Sequence, residues 1–217
     1  MNGYPRIGRS FLVSATMLIA SHFGSATISA QEGVKETEQF IKAGGSLSQA
    51  VAEAKLQVQT TLGNYDDLLS KSATDMKDSY KKLLKNTKEM NEKTDAARTR
   101  VAEMKATGDT YFAGRAATIK KIEDPTLQAQ AKERLDVSQK SFAGVLDSLR
   151  VARESFDPLR KELADHIKYL ESDLSPSGTA SLKPHAEEAK ADAAIVFANA
   201  DQAIRDANTY FTGLRAR

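Results

Sequence analysis

The stretch PTLQAQAKERLDVSQKSFAGVLDSLRVARESFDPLRKELADHIKYLESDL (residues 125–174) decides the fold. Its seam runs Leu127, Ala131, Leu135, Ser138, Phe142, Val145, Leu149, Ala152, Phe156, Leu159, Leu163, Ile167, Leu170, Leu174, in steps of four and three. A 3.5-residue period sustained over several heptads holds one apolar edge on one side of a supercoiled helix. Asp124 and Pro125 mark its start, because a carboxylate accepts orphan amides and proline tolerates the first helical position. Pro158 lies inside the pattern, where the missing amide predicts a bend with helix on both sides. Asp157 is the alternative cap of a fresh start.

Working outward, the same spacing recurs on both flanks. Upstream it runs Met76, Tyr80, Leu83, Thr87, Met90, Thr94, Ala97, Val101, Met104, Gly108, Tyr111; downstream Leu182, Ala186, Ala189, Ala193, Val196, Ala200, Ala203, Ala207, Tyr210, Leu214. The turn at 122–126 folds two helices of about fifty residues, each on the order of 70 Å long, into an antiparallel hairpin. Ser175-Pro176-Ser177-Gly178 makes the last turn. Gly44-Gly45 predicts the end of a short segment, and Gly63-Asn64 with the 70–74 stretch predicts a bend. The expected organisation is a separate segment over 31–45 and one bundle domain over 46–215, with helices about 46–70, 74–122, 125–173 and 176–213. The fold class is therefore all-α: an elongated antiparallel bundle or coiled-coil hairpin with shorter flanking helices.

Residues 1–30 have the parts of a secretory signal. Arg6 and Arg9 supply the positive end, residues 11–20 (FLVSATMLIA) the short apolar run, and small residues precede cleavage sites after Ala26 or Ala30. The chain is expected to be exported to the periplasm or cell envelope. Beyond the two arginines, 29 basic face 29 acidic side chains, so no long-range field draws nucleic acid or anionic lipid. There is no cysteine, which excludes disulfides, thiol nucleophiles, thiolate metal sites and an acylated anchor. No stretch beyond the signal has the length and apolarity of a membrane span.

Some residues resemble a bacterial family known as domain of unknown function 2959. The run Phe156-Asp157-Pro158-Leu159, the segment from His166 to Leu174, and Ala180-Ser181-Leu182 carry the likeness, with weaker echoes at Tyr80-Lys81-Lys82-Leu83 and Val51-Ala52-Glu53-Ala54. It covers roughly residues 50–211. The resemblance implies a helical bacterial protein and supplies no activity, cofactor or site.

One constellation carries chemical potential. His166 and His185 lie about ten residues either side of the last turn, so they face each other in an antiparallel pair; Glu162 and Glu188 sit one turn away from them. Bundles build metal sites from Glu and His at such spacings. The competing reading is two histidines on a solvated, acid-rich face with Asp165, Glu171, Glu187 and Asp192. On balance no metal, cofactor or catalytic residue is expected. Tyr111-Phe112 and Tyr210-Phe211 are expected to staple helix ends onto neighbours, and Lys81, Lys82, Lys85 and Lys88 to pair with nearby acids. No phosphate-binding glycine loop, HExxH or Gly-x-Ser-x-Gly occurs. The functional expectation is a non-enzymatic extracytoplasmic structural or interaction module, whose seams pair with a protein partner or a second copy. The alternatives are a bundle that binds metal or a small ligand, and a protein of membrane surfaces.

Overall fold

A computed structural model describes residues 23–72 and 74–216, with residues 23–32 as backbone alone. The charged end and apolar run of the expected export signal lie outside the described residues. Four helices follow one another: α1 (Phe23–Leu69), α2 (Met76–Ile119), α3 (Pro125–Ser172) and α4 (Pro176–Arg215). Among the described residues there is no strand. None of the described helices is long and apolar enough to cross a membrane.

The start signals work as the residue types require. The Asp124 carboxylate accepts from the amides of Thr126 at 2.8 Å and Leu127 at 3.0 Å. The Ser175 hydroxyl accepts from the Gly178 amide at 3.1 Å. Pro158 and Pro184 both lie inside unbroken helices. Asp157 does not cap a fresh start; its carboxylate takes the Arg98 guanidinium at 2.6 Å instead.

Each helix packs against two neighbours in a ring of α1–α2–α3–α4, with α1 and α3 on one diagonal and α2 and α4 on the other. This is up-down-up-down bundle topology. The seams predicted on α2 and α4 face inward along their whole length, every position buried or half-buried; on α3 only Leu127 is left exposed. Tyr111, Phe112 and Phe211 are buried as staples, and Lys81, Lys85 and Lys88 pair with Asp78, Glu89 and Glu92.

Two expectations need correction. Residues 31–45 are not a separate segment: α1 runs straight through Gly44-Gly45 and Gly63-Asn64. At Gly44 the missing side chain is filled by a neighbour, since a Cβ there would fall inside the Phe211 ring of α4. Gly44 thus serves close helix approach, where the spacing alone reads as punctuation. Nor is α1 a shorter flanking helix: it has 47 residues where α2 has 44. The expected hairpin of α2 and α3 is present, with its two helices touching least, while α1 with α2 and α3 with α4 pack most closely. Gln57 and Thr61 of α1 both reach the Asn86 carbonyl of α2, at 3.3 and 3.1 Å. The alanine seam of α4 lets its axis approach α3.

The two adjacent glycines are expected to respond with opposite sign. Gly44→Ala should destabilise by about 1–3 kcal/mol, because the Phe211 ring must move in a packed core. Gly45 faces open space, so Gly45→Ala should stabilise by roughly 0.5–1 kcal/mol through the unfolded chain and helix propensity. Thermal denaturation of the two variants checks the pair; equal shifts of one sign would contradict the α1–α4 contact.

Candidate functional site

The antiparallel α3–α4 pair brings the predicted residues together. Glu162 and His166 stand one turn apart on α3, and His185 and Glu188 about one turn apart on α4. The imidazole rings of His166 and His185 have centroids 5.6 Å apart. Nε2 of His166 faces the Glu162 carboxylate at 3.8 Å, and Nδ1 of His185 lies 3.2 Å from Glu188.

The expected solvated face is only half right. His185 and Glu188 are exposed, whereas His166 is buried and Glu162 half-buried, in a core with Leu163, Leu170, Leu182 and Ala186. Spacing also missed the partner that matters most. The Tyr65 hydroxyl of α1 shares a hydrogen bond with Nδ1 of His166 at 3.1 Å, and the rings stack with centroids 5.6 Å apart. Tyr65 lies 101 residues from His166, and no local pattern joins them; its only signal is a large polar-tipped residue on an inward face of α1.

Burial sets the electrostatics. Desolvation holds the His166 imidazole below its ordinary value of 6.5, and the charge of His185 adds to this against the weaker pull of Asp165 and Glu188. Desolvation raises the Glu162 carboxyl above 4.5, with Asp192 and Glu188 pushing the same way and His185 opposing. Burial likewise raises the Tyr65 phenol, helped by Glu162 and Asp66. At neutral pH the buried pair is therefore a neutral imidazole bonded to a neutral phenol. Such a contact ties α1 to α3 across the diagonal and specifies helix register. Among the described residues no three His, Asp or Glu side chains converge as a metal-binding group.

The sign of the pH effect follows. The unfolded chain binds a proton at this imidazole more readily than the folded one, so the His166 contribution is complete above 6.5 and is lost as pH falls through the folded value. Glu162 acts oppositely, its contribution being lost as pH rises from 4.5. Stability measured against His166→Gln is thus expected to fall on acidification from 6.5, and the His166 NMR titration should centre below that value. A midpoint at or above it would contradict the burial.

A second polar feature lies on the looser α2–α3 side, where Oδ1 of Asn91 is buried without a hydrogen-bond partner. An unmet buried acceptor costs about 1–3 kcal/mol.

Fold and cluster together define the class, an all-helical up-down-up-down bundle with a hydrogen-bonded Tyr–His contact in its core. The chain belongs to the family described as protein of unknown function (DUF2959), whose model matches residues 27–214. The match reaches further toward the amino terminus than the motifs that suggested it. No curated protein and no solved structure matches the chain.

Proposed function

We propose that this protein is a non-enzymatic helical module of the cell envelope that docks another helix, from a protein partner or a second copy, at the end formed by the α2–α3 turn. One observation carries this reading: the seam of α3 outruns its cover from α4. Tyr210, near the end of α4, sits at Ser138, 3.1 Å between hydroxyls, and α4 ends at Arg215. Leu214, one turn further on, joins the cluster against which Leu135 packs, so the seam positions of α3 past the end of α4 are Ala131 and Leu127, and Leu127 is 56% exposed. A groove there is lined by Ile119 of α2 and Ile122 of the turn with Ala131, Leu135 and Val137 of α3. Apolar residues with heptad spacing that lie beyond the end of α4 are what a partner helix fits. Support for export comes from Arg6, Arg9, the apolar run at 11–20 and the small residues before Gln31.

Sedimentation velocity over a concentration series, with crosslinking in the intact envelope, tests the reading. The expected result is a self-associated or crosslinked species that Leu127→Glu removes while the helical spectrum is kept. A strictly monomeric chain with no crosslink sensitive to Leu127→Glu would end the docking reading, and full-length chain retained in the cytoplasm would end the export reading. A second reading, a bundle that holds a small ligand, is favoured by a separate observation midway along the rod.

A further inference from the structure

Midway along the bundle the interior does not close. The buried residues form two clusters, one containing Val58, Met90, Phe156 and Val196, the other Leu47, Met104, Leu149 and Ala203. Where they adjoin lies a cavity of about 260 Å³. Each helix gives it one alanine: Ala54, Ala97, Ala152 and Ala200. Heptad cores close when large aliphatic side chains interdigitate at such positions, and four methyl groups leave the space between the helices unfilled. Ala54 and Ala200 are buried while Ala97 and Ala152 are half-buried. The cavity therefore opens between α2 and α3, the pair that touches least.

The chemistry of wall and mouth selects a guest. Val51, Val101, Leu146 and Phe156 make the wall largely hydrocarbon, which offers water few of the two to four polar partners it needs. Apolar cavities of about 150 Å³ hold benzene, so this one has room for a larger molecule. At the mouth stand Arg98 of α2 with Arg150 and Arg153 of α3, and each is already engaged. Arg98 meets Asp157 at 2.6 Å and Asp95 at 3.1 Å. Arg150 meets Asp147 at 2.8 Å and Glu154 at 2.6 Å, and Arg153 lies 3.8 Å from Asp157. An anionic head group would have to compete with these carboxylates, whereas an uncharged guest leaves them in place. We infer that this waist cavity is a binding site for a small, uncharged, hydrocarbon-rich molecule, aromatic or alkyl, that enters between α2 and α3. The site is independent of helix docking at the far end of the hairpin.

Fluorescence titration of the whole protein with the neutral probe N-phenyl-1-naphthylamine tests it. The expected result is saturable enhancement with one site per chain, reversed by 1-octanol and not by octanoate at the same concentration. Ala152→Leu, which places an isobutyl group in the cavity, should weaken probe binding at least about tenfold without lowering helicity or the thermal midpoint. Ala97→Leu fills the same space from the other side of the mouth and should do the same. Absence of saturable binding to the wild-type chain, undiminished binding to both filled variants, or displacement by octanoate as readily as by octanol would each overturn the inference. The wild-type titration and the alcohol–carboxylate comparison stand even where a filled variant does not fold.

Discussion

Phe40→Ala is expected to cost about 3–5 kcal/mol, the range for truncating a fully buried aromatic side chain. Phe40 is 0% exposed and touches rings from the other three helices in the cluster on the α2–α3 turn side of the waist. Its ring centroid lies 5.2 Å from Tyr111 and 5.9 Å from Phe112 of α2, 5.0 Å from Phe142 of α3, and 6.0 and 5.0 Å from Tyr210 and Phe211 of α4. Most of these pairs are edge-on, the geometry that adds about 0.5–1.5 kcal/mol per pair beyond burial. Those increments share one ring, so they do not simply add. The bundle cannot collapse into the space, because Gly44 and Gly108 already hold α1 and α2 as near to the rings of Phe211 and Phe142 as backbone permits. Urea denaturation followed by circular dichroism measures the loss, which should appear thermally as about 2–4 °C per kcal/mol for a chain of this size. A change below about 1 kcal/mol would mean that the aromatic cluster is not closed as described.

Leu163→Ala should cost about 2–5 kcal/mol, in the other cluster. Leu163 is 2% exposed beside Leu159, Leu170, Leu182 and Ala186. The comparison that gives this value meaning is Lys161→Ala, two positions away on the exposed side of α3, which should change stability by less than roughly 0.5 kcal/mol. Equal midpoints for the two variants would contradict the register of α3. Because the waist cavity lies where the two clusters adjoin, the Phe40 and Leu163 substitutions are expected to be additive within about 0.5 kcal/mol in the double variant. Hydrogen exchange should rise mainly around Met104 and Phe142 in the first variant and around Leu159 and Leu170 in the second.

The candidate site was half legible. His166 and His185 could be paired from their distances to the turn at Ser175, because an antiparallel connection maps sequence offset onto height along the rod. Their burial could not be read the same way. His166 is inward because the α3 stripe widens by one position beside Leu163 and Leu170, and acids nearby in sequence gave the opposite impression. Tyr65 was invisible, since it reaches the imidazole across a diagonal that no period encodes. Gly44 reads as punctuation because a glycine that ends a helix and a glycine that admits a neighbouring ring are the same residue, told apart only by what lies opposite. The waist cavity was hidden for a related reason. Each of its four alanines is an ordinary seam residue in its own helix, and the space exists only when all four stand at one level.

By itself, the order of residues determined that this chain is helical and where three of its four helices turn, because heptad spacing, capping side chains and prolines act within a few positions of themselves. Tertiary packing alone decided which helix pairs lie close, which glycines are spacers, which histidine is buried and where the interior stays open. Those outcomes depend on side chains brought to the same height from distant parts of the chain, and height between helices is set by docking.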